Sequence, residues 1–212
     1  MKRFIGLLSD EDAELLERYA SNALRILEFG MGGSTHIFAQ CLSAGASLTS
    51  VETDARWIAR VRADLARLGF AGDRRITLMD HDTWRGQRDR AGRSTAPEAH
   101  FDLVFIDGAA DLRRPFAMDA WCRIAPGGFL LVHDTRNLRV PRDLDTVLHL
   151  ARTNLYEVDE LRLNEKWADR PSNLSALRRK TAQPWVDWTK ASDKPQWRFG
   201  RGEVPEDFWR GR

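Results

Sequence analysis

A doubly wound α/β fold with a sheet of about seven strands, mostly parallel with an antiparallel edge hairpin, is predicted by three features of the sequence. Short apolar runs rich in β-branched and aromatic residues alternate with amphipathic stretches. A glycine cluster directly follows the first run, in "EFGMGGST" (28–35). Proline and glycine in "APGG" (125–128) stop a helical stretch and turn the chain into a further apolar run. Near-continuous apolar strands must be covered on both faces, and helices between successive strands of a parallel sheet cover them.

The elements follow in order. Ser9 and Asp12 form a capping pair, and Leu15, Leu16, Tyr19 and Ala23 continue one apolar face, so a helix of about three turns opens the chain. Strands are expected at 25–29 (RILEF), 47–52 (SLTSVE), 75–79 (RITLM), 102–107 (DLVFID) and 128–134 (GFLLVHD). The intervening helices are expected at 34–43, 54–68 and 113–124, the last ended by the proline and glycines. Residues 144–154 read as another helix, and 155–163 and 174–180 as two strands joined by a polar loop containing Pro171, a hairpin at the sheet edge. The stretch 85–99, rich in arginine and small residues, reads as a mobile loop. Residues 181–212 hold Trp185, Trp188, Trp197 and Trp209 among Pro184, Pro195 and Pro205. Exposed tryptophans are costly and the prolines forbid a long helix. This segment is therefore expected to be an extended arm docked on the domain or on a second copy, a route to a homodimer. The division is a domain over 1–180 and an extension over 181–212.

Composition narrows the function classes. A length of 212 residues at 42% hydrophobic content suits one core better than two. The net charge of +2, from 33 basic and 31 acidic residues, calls for neither a nucleic acid nor an anionic membrane as partner. Two cysteines, Cys41 and Cys122, without further ligand-type residues at metal spacing argue against a disulfide scaffold or a zinc site and for a reducing cytoplasm. The apolar positions after Met1 are too few for a secretory signal, and no run is long enough to span a membrane.

The glycine turn carries the first chemical signal. Gly30, Gly32 and Gly33 let the backbone bend and a ligand approach, and Ser34 or Thr35 can cap the helix whose free N–H groups favour an anionic group. A nicotinamide dinucleotide would want a third glycine where Thr35 stands, and Glu28 just before the turn would repel its pyrophosphate. Glu28 instead suits the ammonium of an amino acid. Glu52, at the end of the second strand, suits the two hydroxyls of a ribose. An amine and a ribose together describe an adenosylated amino acid.

In these residues the sequence resembles the class I S-adenosylmethionine-dependent methyltransferases, whose Rossmann-like domain opens on an acidic residue followed by G-x-G. "EFGMGGST" is similar to that motif, "VETD" to the second, "FDLVFIDG" to the fourth-strand motif and "APGGFLLVHDT" to the P-G-G turn and fifth strand. The resemblance spans about residues 20 to 180. It is closest to a bacterial subgroup with "EFGxGGST", "SVExDxxW" and "IDG" followed by an arginine, matched here by Trp57 and by Arg113 or Arg114. It implies S-adenosylmethionine as cofactor and places Asp82, in "DHDT", at the adenine amino group, where Asp80 competes with it.

Asp107 and Asp134 end the fourth and fifth strands, on either side of the switch point where open α/β sheets bind ligands, and are the leading reaction-site candidates with His133. His133 and Asp134 should alternate in direction, so only one faces the crevice unless the chain bends. "HD" replaces the Asp-Asn pair of metal-dependent catechol-type O-methyltransferases, so no metal is expected. The absence of an N-P-P-Y type motif after the fourth strand, where "IDGAAD" stands, favours O-methylation of a small-molecule acceptor. The arginines at 85, 88, 90, 93, 113 and 114 leave an acidic acceptor open. The alternatives are a nicotinamide-dependent oxidoreductase and a methyltransferase-like binding module without catalysis.

Overall fold

The computed structural model describes residues 8–91, 100–136, 142–154, 157–181 and 196–199. The first helix, α1 (Asp10–Ala20), starts where the capping pair predicts: the Ser9 hydroxyl accepts the Asp12 N–H at 3.1 Å. Then follow β1 (Arg25–Phe29), α2 (Gly33–Cys41), β2 (Ser47–Glu52), α3 (Ala55–Arg67) and β3 (Ile76–Asp80). After these come α4 (His81–Ala91), β4 (Phe101–Ile106), α5 (Arg113–Trp121), β5 (Ile124–Val132) and α6 (Arg142–Thr153). The chain closes with β6 (Val158–Leu163), a two-strand ladder of β7 (Lys166–Trp167) and β8 (Arg170–Pro171), β9 (Ser175–Arg179) and β10 (Gln196–Phe199).

The sheet runs β10-β6-β9-β5-β4-β1-β2-β3. The pairs among β1 to β5 and the pair β6/β10 are parallel; β9 is antiparallel to both β5 and β6. This is the expected doubly wound mixed sheet. Alternation along each strand sorts its side chains between the two faces. Leu27, Phe29, Val104, Ile106, Leu130 and Val132 pack with Phe116, Trp121, Val147 and Leu150. Ile26, Leu48, Leu103, Phe105 and Leu131 pack on the other face with Leu15, Leu16, Ile37 and Phe38 of α1 and α2.

Three expectations are corrected. The stretch taken as a loop from residue 85 is helical to Ala91, because the crossover from β3 to parallel β4 needs a covering element and Trp84, 8% exposed, docks edge-on against Phe29. Residues 92–99, including Arg93, lie outside the described residues. "APGG" lies inside β5 as an irregularity: Phe101 pairs with Ile124 and Leu103 with Phe129, and the intervening residues loop out at Gly127, whose φ is +81°. The strands 158–163 and 175–179 do pair antiparallel, but β9 is inserted between β5 and β6, so this hairpin is not the edge. The edge is β10, an eighth strand inside the tryptophan-rich segment. Trp185, Trp188 and Trp209 fall outside the described residues. Among the described residues no helix is long and apolar enough to cross a membrane.

Candidate active site

The strand order reverses between β1 and β4, and a cavity of about 540 Å³ opens at the carboxyl ends of these strands. Met31, Gly32, Gly33 and Ser34 line it from the first turn, Glu52, Asp54 and Trp57 from the second, and Asp107, Gly108 and Ala109 from the fourth. His133 and Asp134 line it after β5, and Leu8 and Asn173 close it from the flanks.

The first turn is built on Gly30. Its φ is +96°, and a Cβ there would lie 2.3 Å from the Gly108 nitrogen. The two turns thus touch through backbone, and Asp107 N–H donates to the Phe29 carbonyl at 2.7 Å behind them. Gly30 shapes the site without lining it. At Gly32, by contrast, a Cβ would meet nothing within 4 Å, so open space for a ligand begins there.

Glu28 is fully buried and does not reach the cavity. Its carboxylate accepts the hydroxyls of Ser34, Thr35 and Ser50, and Thr35 in turn accepts the Gly32 N–H at 2.9 Å. Burial pushes the Glu28 carboxyl up to about 7 against these hydrogen bonds. The ammonium partner expected at this position is therefore replaced by three hydroxyls that tie the strand end to the start of α2. Glu52 takes the place the sequence suggested, at the end of β2 facing the cavity. Its Oε2 accepts the Met31 N–H at 3.1 Å, and its Oε1 accepts the N–H groups of Thr53 and Asp54 at 2.6 and 3.2 Å. Trp57, 38% exposed, donates its ring N–H to the Met31 carbonyl, which holds the indole at the cavity edge. Asp82 is exposed in the first turn of α4 and does not line the cavity. Asp80 caps that turn by accepting the Thr83 N–H at 2.8 Å and its hydroxyl at 2.7 Å, which holds the Asp80 carboxyl below its usual range.

The other end of the cavity is a charge cluster. Arg113, on the first turn of α5, donates to Asp107 at 3.1 Å, Asp134 at 2.9 Å, Asp143 at 2.7 Å and the Gly108 carbonyl at 2.8 Å. The His133 Nδ1 sits 3.1 Å from Asp107 and its Nε2 3.3 Å from Asp12. Burial opposes a charged imidazole here, but the hydrogen bonds to Asp107 and Asp12 outweigh it and push His133 up to about 10. Asp134 has a φ of 59°, a conformation a non-glycine residue rarely adopts. That bend is why His133 and Asp134 both face the cavity, where simple alternation admitted one. The Asp134 side chain, 37% exposed, is more open than that of Asp107 at 24%.

Asp107, His133 and Asp134 present ligand-type atoms within 4.8 Å of one another. Both ring nitrogens of His133 are taken by carboxylates, and the Arg113 guanidinium already donates to both aspartates, so positive charge is supplied by the chain itself. Of the arginines suggested for an acidic acceptor, Arg113 is turned into this cluster, Arg114 lines a separate cavity beside Asp111 and Asp145, and Arg85 is exposed. The side chains of Arg88, Arg90 and Arg93 lie outside the description.

Two organising residues escape sequence reasoning. Arg113 shows only as an arginine after "IDG", a signal without geometry. Asp12 reads as a helix cap, and nothing in its spacing connects it to a histidine 121 residues away.

A glycine turn at the switch point, a strand-end glutamate and a carboxylate cluster thus line one cavity. Residues 27–135 match the family model of a methyltransferase domain, just over half of the chain, and the chain belongs to that family. Membership decides against the nicotinamide alternative. No curated protein matches the sequence. Among solved structures, the fold is similar to an O-methyltransferase from Bacillus cereus in complex with S-adenosylhomocysteine, at 18% identity and a TM-score of 0.65, over 82% of this chain and 83% of that one. It is also similar to the O-methyltransferase TomG of tomaymycin synthesis from Streptomyces achromogenes, in complex with S-adenosylmethionine, at 19% identity and a TM-score of 0.60, over 82% of each chain.

Proposed function

We propose that this protein is an S-adenosylmethionine-dependent methyltransferase that methylates a hydroxyl of a small-molecule acceptor. The observation that carries the reading is one cavity with Glu52 and the α2 N-terminus at one end and Asp107 and Asp134 at the other. Glu52 accepts the ribose hydroxyls, and Trp57 lies along the nucleoside. The N–H groups of Gly33 and Ser34 at the start of α2 meet the carboxylate of the methionine part, and Asp107 meets its ammonium. Glu28 serves from behind by fixing the turn.

The sulfonium brings an activated methyl group, so the chain has to bind and orient the acceptor and take its proton. When the cofactor is bound, the chain would hold the acceptor hydroxyl toward the activated methyl group, and Asp134 would accept the proton that the hydroxyl gives up as it is methylated. Asp134 takes this role because it is the most open carboxylate of the cluster. The carboxylates of Asp107 and Asp12 on its ring push His133 up to about 10, which leaves it a poor base at neutral pH. The O-methyltransferase neighbours support the choice of oxygen.

Calorimetry with S-adenosylhomocysteine tests the cofactor. The wild type is expected to bind it and to ignore reduced nicotinamide dinucleotide. Glu52→Ala should weaken binding by about 1.5 to 3 kcal/mol, roughly 10- to 150-fold, because a charged hydrogen-bond partner is lost at the cavity wall. Equal affinity in a folded variant would remove Glu52 from the site. Methyl transfer to hydroxyl acceptors should survive a chelator unchanged, because Arg113 supplies the positive charge in the cluster. Activity lost on chelation and restored by magnesium would overturn that assignment.

A further inference from the structure

Asp12 is more deeply engaged than a helix cap requires. It is fully buried, with its Oδ1 accepting the Asn173 N–H at 2.7 Å and its Oδ2 accepting the Ser9 hydroxyl at 2.8 Å and facing His133 Nε2 at 3.3 Å. A capping acid on an exposed first turn gains little from burial, whereas a buried carboxylate is costly unless a charge and hydrogen bonds compensate it. The compensating charge is His133. Hydrogen bonds from His133, Asn173 and Ser9 outweigh burial and hold the Asp12 carboxyl below its usual range.

We propose that Asp12 is a positioning residue of the active site: it grips His133 at Nε2 so that the opposite nitrogen stays donated to Asp107 at the cavity floor. Its purpose in methyl transfer rests on the function proposed above; the grip itself does not. A carboxylate facing each ring nitrogen favours a proton on both, the imidazolium form, in line with the raised pKa of His133. Asp107 is then held by two cationic donors, His133 and Arg113, and cannot rotate away from the cavity. The groups facing His133 come from every neighbouring element: Asp12 of α1, Asp107 after β4, Asp134 after β5 and the Phe105 ring of β4. Behind them stand Arg113 of α5 and Asp143 of α6. Of the three carboxylates on the ring, Asp12 does not touch Arg113 among the described contacts, so His133 is its one cationic partner there. The helix that contributes it follows Leu8, which also lines the cavity, so docking of α1 and the state of the cluster are coupled.

The sign of the pH effect follows. A histidine whose folded pKa is raised contributes stability that is complete below its unfolded value of about 6.5 and is lost as pH rises through about 10. Removing the Asp12 charge moves that upper boundary down.

The test is nuclear magnetic resonance on the full chain labelled at its five histidines, titrated from neutral to alkaline pH, with His133→Gln assigning the signal. The wild-type His133 should stay charged well above neutrality. Asp12→Asn should lower its midpoint by about 1 to 3 pH units. Tyr19→Phe loosens the same helix at Glu165, 2.5 Å away, without touching His133, and should leave the midpoint in place. A wild-type His133 that titrates near its ordinary value would overturn the proposal without any variant. So would an unmoved midpoint in folded Asp12→Asn, or an equal shift in Tyr19→Phe. Failure of the wild type to bind S-adenosylhomocysteine would count against the methyltransferase reading and leave the histidine titration to judge the grip alone.

Discussion

Gly30→Ala should lower stability by about 3 to 5 kcal/mol, combining the cost of forcing atoms into a packed site with that of holding a side chain at a strained backbone angle. The cause is specific. The added Cβ would sit 2.3 Å from the Gly108 nitrogen and 2.4 Å from the Asp107 carbonyl carbon, and both are backbone atoms at the switch point. No side chain can rotate aside to relieve the clash, so the turns after β1 and β4 must separate, and Asp107 moves with its turn. Gly32→Ala is the internal control, since its Cβ projects into open space. Urea unfolding of the two variants measures the difference, and a loss under about 1 kcal/mol for Gly30→Ala would refute the close approach.

Arg113→Leu should cost about 3 to 5 kcal/mol at neutral pH, the range for removing one partner of a buried ion pair and leaving the other charges uncompensated. Asp143, 4% exposed, suffers most: burial already raises its pKa while Arg113 holds it down. Without the guanidinium, Asp107, Asp134 and Asp143 repel one another, and protonation relieves the repulsion. The folded variant therefore binds more protons than the unfolded chain, so its deficit should shrink as pH falls from about 7 toward 5. Unfolding at both ends of that range decides it. A deficit that grows on acidification, or none at neutral pH, would show that Arg113 does not hold the cluster together.

The acidic cluster also shows what Arg113 pairs with, which its place in the sequence did not reveal. Charge in a sequence says nothing about direction. Arg113 and Arg114 are neighbours, yet one is buried among three aspartates and the other lines a separate cavity. Glu28 teaches the same point from the other side. Its place before the glycine turn suggested a ligand contact, but the alternation that puts Leu27 and Phe29 on one face sends Glu28 to the other, toward Ser34, Thr35 and Ser50.

Apolar runs and turn residues determined by themselves that this chain forms a doubly wound sheet with a cavity after its first glycine turn, because strand periodicity, helix caps and glycine turns are local properties of a few residues. The positions of Glu52, Asp107 and Asp134 at the cavity were legible for the same reason: each lies at or just past the end of a strand, and strand ends at a switch point converge. Only the tertiary structure decided which cations reach those carboxylates, that Asp134 bends so both it and His133 face inward, and that Asp12 closes the far side of His133. It also decided that β9 slips between β5 and β6 and that β10 takes the edge. Those outcomes depend on contacts between residues far apart in the chain, and the energy of burying a charge or pairing a strand is settled by whichever distant partner arrives, which no local pattern encodes.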